Sequence, residues 1–107
     1  MKRSQEQLRE ILSSPGFKIG LGTYRLGSGT YSICLRALEL GYRHIDTASL
    51  YRNETQVGQA IKESGLSPDE LFITTKVWTK DIETDKIHES VLESYSRLGK
   101  IDLILLH

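Results

Sequence analysis

The chain has one cysteine, two prolines, one tryptophan and no excess of charge of either sign. A lone Cys34 excludes an internal disulfide and a zinc site built on several thiolates, and it fits a reducing compartment. Sitting on an apolar helical face, it reads as a small buried residue. Fourteen Lys and Arg offset fourteen Asp and Glu, so no overall field draws in a polyanion and no basic cluster marks a nucleic-acid face. No apolar run approaches the ~20 residues that span a bilayer. The stretch from Met1 to Leu12 is too polar for a signal peptide. The expected setting is the cytoplasm, with no nucleic acid, membrane or metal as partner.

The 107 residues, 38% hydrophobic and 26% charged, suit one soluble globular domain. Ser4 to Leu12 predicts a short polar lead helix that Ser14-Pro15-Gly16 breaks, so residues 1–16 form a lead segment and 17–107 the domain. Phe17 to Thr23 predicts a first strand and Arg25 to Gly29 a loop. Thr30 to Leu40 predicts a helix with Ile33, Cys34, Ala37 and Leu38 on one face and a cap at Gly41. Tyr42 to Asp46 predicts the second strand. Asn53 then caps a helix with Val57, Ala60 and Ile61 inward, ended by Gly65. Leu71 to Lys76 is rich in apolar and β-branched residues and predicts the third strand. The following helix, Thr84 to Leu98, turns Ile87, Val91, Leu92, Tyr95 and Leu98 inward and ends at Gly99. Asp102 to Leu106 is a nearly unbroken apolar run, as in a parallel strand covered on both faces.

The order β-α-β-α-β-α-β calls for right-handed crossovers and a parallel sheet, hence an α/β fold. Such folds carry their chemistry at the carboxyl ends of the strands. Asp46 and Lys76 end the second and third strands, His107 ends the fourth, and Tyr51 follows the second. Neighbouring strands lie about 4.8 Å apart, so these ends fall within roughly 10 Å of one another. The four residue types suit one task. A tyrosine in water keeps its proton to a pKa near ~10, so a phenol that donates at neutral pH needs a neighbour that stabilises phenolate. An ammonium from Lys76 is such a neighbour, Asp46 supplies the opposing charge, and His107 can donate to a carbonyl oxygen and orient it toward Tyr51. His44, inside a strand, and His88, on a charged helix, are structural. Gly27-Ser28-Gly29 opens like a dinucleotide fingerprint but lacks the third glycine. Asn53-Glu54-Thr55 is formally a glycosylation acceptor, and helix capping suffices to explain it.

GLGTY at Gly20 to Tyr24, GYRHIDTASLYRNETQVGQAI at Gly41 to Ile61, LFITTKVW at Leu71 to Trp78 and DLILLH at Asp102 to His107 resemble aldo-keto reductase signatures, in family order and at close to family spacing. The resemblance runs from about Ile19 to His107. It implies a partial (β/α)8 TIM barrel and NADPH-dependent reduction of an aldehyde or ketone to an alcohol. It implies Tyr51, Lys76, Asp46 and His107 as catalytic residues and Gly22, Thr23 and Asp46 beside the nicotinamide ribose. Tyr24, Trp78 and His107 would border the substrate, a small carbonyl compound.

A full barrel of this kind needs about 250 residues. The chain is therefore expected to be the opening half of one, inactive alone, with the family's phosphate-binding strands outside it. The alternative is a non-catalytic half-barrel remnant that self-associates or binds through its open sheet. An open half would leave Leu103, Leu105 and Phe72 facing water. The Gly99-Lys100-Ile101 join is about two residues tighter than usual for the family, which loosens the expected register of the last strand, and the lead helix replaces the family's amino-terminal hairpin.

Overall fold

The computed structural model describes residues 4–107, so the first three residues of the lead segment lie outside the described residues. Helix α1 (Gln5–Ser13) begins with a capping box in which the Ser4 hydroxyl accepts from the Gln7 amide and the Gln7 side chain accepts from the Ser4 amide. A second helical turn, α2 (Pro15–Lys18), follows and takes in Phe17 and Lys18, the first two residues of the expected strand. Proline's fixed φ suits a first helical position, and the turn lays the Phe17 ring on His44, with centroids 4.8 Å apart, and against the edge of Phe72 at 5.1 Å.

Four parallel strands form one sheet in the order β1 (Gly20–Gly22), β2 (His44–Asp46), β3 (Phe72–Val77) and β4 (Leu103–Leu106). The register pairs Gly22 with Asp46, Asp46 with Thr74, and Lys76 with Leu105. The tight join at 99–101 still delivers β4 in parallel pairing. Helices α3 (Thr30–Glu39), α4 (Glu54–Glu63), α5 (Thr79–Glu83) and α6 (Ile87–Leu98) make the crossovers, and Gly41, Gly65 and Gly99 end three of them with positive φ.

Because side chains alternate along a strand, Ile45 and Ile73 turn toward the helices, where they pack with Cys34, Leu38, Val57, Ala60, Ile61, Leu71 and Leu98. His44, Asp46, Phe72, Thr74 and Lys76 take the other face. Burial pushes the Cys34 thiol up to about 11, so it stays protonated at neutral pH as a small apolar residue does.

Three expectations need correction. Phe72 does not face water: it is 8% exposed, because Phe17 and His44 cover it. Helix α2 thus closes the amino-terminal end of the sheet. The helix expected from Thr84 begins only at Ile87, and a separate short helix, Thr79–Glu83, precedes it, the two parted around Asp85 at φ +57°. In α6 the buried residues are Ser90, Ser94 and Leu98, while Leu92 and Tyr95 are more than half exposed. The cause lies in α4: a Cβ on Gly58 would stand 2.0 Å from the Arg97 carbonyl oxygen. Only a glycine allows so close an approach, and small α6 residues fit the seam. Finally, β4 is exposed along its whole length, Leu106 most of all at 69%, which corrects the reading of a strand covered on both faces and bears out the water-facing Leu103 and Leu105 expected of an open half.

Candidate active site

The carboxyl ends of the strands carry the chemistry. Asp46 is the last residue of β2, and Lys76 lies one residue before the end of β3 on the same face. The Lys76 ammonium has three protons and three acceptors: an Asp46 carboxylate oxygen in a very short contact, the Thr47 carbonyl at 3.0 Å, and the Tyr51 hydroxyl at 3.5 Å. The Lys76 side chain is only 14% exposed and that of Asp46 40%. A poorly hydrated ammonium is stabilised by this carboxylate. The lysine also stands 5.2 Å from the centre of the Tyr51 ring.

Tyr51 ends a 3-10 turn, Ser49–Tyr51, that crosses the strand ends. Ser49 donates to the Lys76 carbonyl at 3.1 Å, which binds the turn to β3. On one side of Tyr51 lies the Tyr24 ring, with centroids 5.1 Å apart, and on another the His107 ring, perpendicular at 6.0 Å. His107 is held by its backbone, its amide donating to Val77 at 2.8 Å and its carbonyl accepting from the Thr79 hydroxyl.

The structure therefore brings together Tyr51, Lys76, Asp46, His107 and Tyr24. Gly22 lies beside Asp46 in register and has nothing within 4 Å of where a Cβ would stand. Thr23, expected beside a cofactor, is fully buried: its hydroxyl lies on Thr47 at 2.7 Å, its amide donates to the Asp46 carbonyl at 3.1 Å and its carbonyl accepts from the Asn53 side chain at 2.8 Å. Trp78 stands on the far flank of the Tyr51 turn, lining a cleft with Ser49, Leu50 and Arg52. Among the described residues, no group of three or more His, Cys, Asp or Glu could hold a metal.

Sequence reasoning missed Thr47, Thr30 and the inward task of Asn53, which sits at the N-cap of α4 without making a side-chain capping bond. It also passed over Glu54, a buried carboxylate that accepts from Thr75, Ser94 and Arg97. The available signal was a polar residue where the helical period calls for an apolar one.

Comparison with known proteins gives the family and the fold. The model of the Aldo/keto reductase family matches residues 18–107. The methylglyoxal reductase DkgB of Yersinia pestis is 50% identical over 99 residues, covering 90% of this chain and 36% of its own length. A crystal structure of an aldo-keto reductase enzyme from a Medee basin deep-sea metagenome library superposes with a TM-score of 0.80 at 46% identity, covering 89% of this chain and 35% of that one. The aldo-keto reductase of Bombyx mori, solved in complex with NADP, gives a TM-score of 0.77 at 39% identity over 83% of this chain and 33% of that one. The chain spans about a third of the length of the curated relatives it matches.

Proposed function

The chain belongs to the aldo/keto reductase family, and from that premise we propose that its strand ends form the proton-donating half of an NADPH-dependent carbonyl reductase. The observation that carries this reading is the Lys76 ammonium set between the Asp46 carboxylate and the Tyr51 hydroxyl. No helix among the described residues is long and apolar enough to cross a membrane, and a cytoplasmic setting is part of the proposal, as is a domain boundary between residues 16 and 17.

In this reading Tyr51 donates its proton to the oxygen of an aldehyde or ketone. The ammonium of Lys76 stabilises the phenolate left behind, which is later reprotonated from water. Asp46 sets an opposing charge beside the ammonium in its half-dry setting. His107, across from Tyr51, donates a hydrogen bond to the same carbonyl oxygen and aims it at the phenol. Tyr24 and Trp78 border the substrate. The open space at Gly22 and the partly exposed carboxylate of Asp46 fit the nicotinamide ribose, with Thr23 buried just behind them. When bound, NADPH supplies the hydride that reaches the carbonyl carbon. The remaining strands of a barrel would hold its phosphates, and residues 1–107 alone are expected to show no turnover. A second reading, a non-catalytic module that associates through its open sheet, is favoured by the four exposed residues of β4.

A hybrid barrel tests the choice. Residues 1–107 joined to the remaining strands of the DkgB relative should oxidise NADPH in the presence of methylglyoxal, and Tyr51→Phe should abolish this without loss of NADPH binding. A folded hybrid that binds NADPH but shows no turnover would overturn the reductase reading and leave the second.

A further inference from the structure

Thr23, Thr30, Thr47 and Asn53 are each at most 2% exposed, and their side chains are bonded to one another. The Asn53 amide donates to the Thr23 carbonyl at 2.8 Å and to the Thr30 hydroxyl at 3.2 Å. The Thr30 hydroxyl in turn donates to the Gly27 carbonyl at 2.7 Å. The Thr23 hydroxyl donates to that of Thr47 at 2.7 Å, and Thr47 donates to the Asn53 amide oxygen at 3.3 Å. Every hydroxyl proton and both amide protons are used once. A buried polar circuit so completed is rigid and acts as a unit.

Its members stand at four element ends: Thr23 just past β1, Thr47 just past β2, Thr30 at the start of α3 and Asn53 just before α4. Between Thr47 and Asn53 lies the turn that carries Tyr51, so the circuit grips both feet of that turn. Thr47 is further tied by its amide to the Thr74 carbonyl at 2.8 Å and by its carbonyl to Lys76. The turn also holds Arg52 in the left-handed region at φ +56°, a conformation that costs a non-glycine residue energy and persists only where the surroundings impose it. Asn53 is among the best helix-capping types, yet its amide is diverted inward and caps nothing.

We infer that Asn53, together with Thr23 and Thr47, is a positioning group whose buried circuit holds the Tyr51 hydroxyl against Lys76; this rests on the reductase reading and deepens it. Thr23 then serves the site through the turn rather than by a hydroxyl offered to a cofactor.

The test uses the chain itself and needs neither cofactor nor turnover, so its outcome is separable from that of the hybrid assay. In Asn53→Ala, the Tyr51 and Arg52 amides, bonded to the Ala48 and Ser49 carbonyls, should exchange with deuterium at least ~10-fold faster, while those of β2 and β3 change less than ~2-fold, because only the turn opens. Nuclear Overhauser contacts between the Tyr51 and His107 rings should fade with it. Thr47→Val, which keeps the shape and loses the hydroxyl, should act in the same direction, and Thr47→Ser should restore the wild-type pattern. If Asn53→Ala fails to fold, the Thr47 pair decides. Equal acceleration across the whole sheet, no acceleration at Tyr51 and Arg52, or a serine variant indistinguishable from valine would each overturn the inference.

Discussion

Lys76→Met in the hybrid barrel is expected to lower kcat by roughly 10²- to 10³-fold with NADPH affinity held within about threefold, the size of effect that a general acid loses with its activating group. Methionine keeps most of the lysine's length and its apolar stem, so the strand and its packing stay. What goes is the charge that Asp46, the Thr47 carbonyl and Tyr51 share. Tyr51 remains in place but faces an uncompensated carboxylate, which opposes the negative charge it must carry after giving up its proton. Lys76→Arg should fail nearly as badly, since a planar guanidinium cannot direct donors at three acceptors arranged around a single nitrogen. Stopped-flow absorbance of NADPH under single-turnover conditions reads the chemical step. A loss of less than about tenfold would show that the lysine is structural, since a direct partner of a general acid contributes more than that.

Glu54→Ala is expected to produce the largest loss of stability. The carboxylate is 1% exposed and ties three elements together, accepting from Thr75 on β3 at 2.6 Å and from Ser94 and Arg97 on α6 at 3.1 Å each. Its removal leaves two buried hydroxyls without that acceptor, at about 1–3 kcal/mol each. Arg97 is less affected: it is 39% exposed and can turn to Glu93, already 3.4 Å away, or to water. The sum is roughly 2–6 kcal/mol. For a chain of this size that lowers Tm by more than about 10 °C. Glu54→Gln keeps one acceptor oxygen but turns an NH2 toward a donor, and about half the loss is expected. Thermal melts of the three forms followed by circular dichroism check the order wild type, glutamine, alanine. Equal melting temperatures would mean that the seam between α4 and α6 is held by Gly58 and the apolar core alone.

The strands and their order were legible because apolar, β-branched runs alternate with helical periods, and the candidate site was legible because Asp46, Lys76 and His107 all stand where such runs end. The inward face of α6 was not. Periodicity weighs apolar side chains and so placed Leu92 and Tyr95 inside. The real seam is set by a glycine that lets two backbones nearly touch and by a buried glutamate that needs hydroxyl donors, both of which favour serine. Asn53 was misread for a related reason: at the start of a helix an asparagine suggests a cap, and its diversion depends on threonines 23 and 30 residues earlier in the chain. The start of β1 slipped because Phe17, a good strand residue by type, is captured by the aromatic pair His44 and Phe72. In β4 the local pattern describes a buried strand, whereas burial depends on neighbours that a strand's own sequence does not contain.

The central claim is that a lysine ammonium rests against a tyrosine hydroxyl where β2 and β3 end. Nuclear magnetic resonance of the chain labelled with 15N-lysine tests it most directly, with the Lys76 side-chain signal assigned by its absence in Lys76→Met. The account predicts a slowly exchanging ammonium signal with Overhauser contacts to the Tyr51 ring, both lost in Asp46→Asn. An ammonium that exchanges at the rate of a surface lysine and shows no contact with Tyr51 would contradict it.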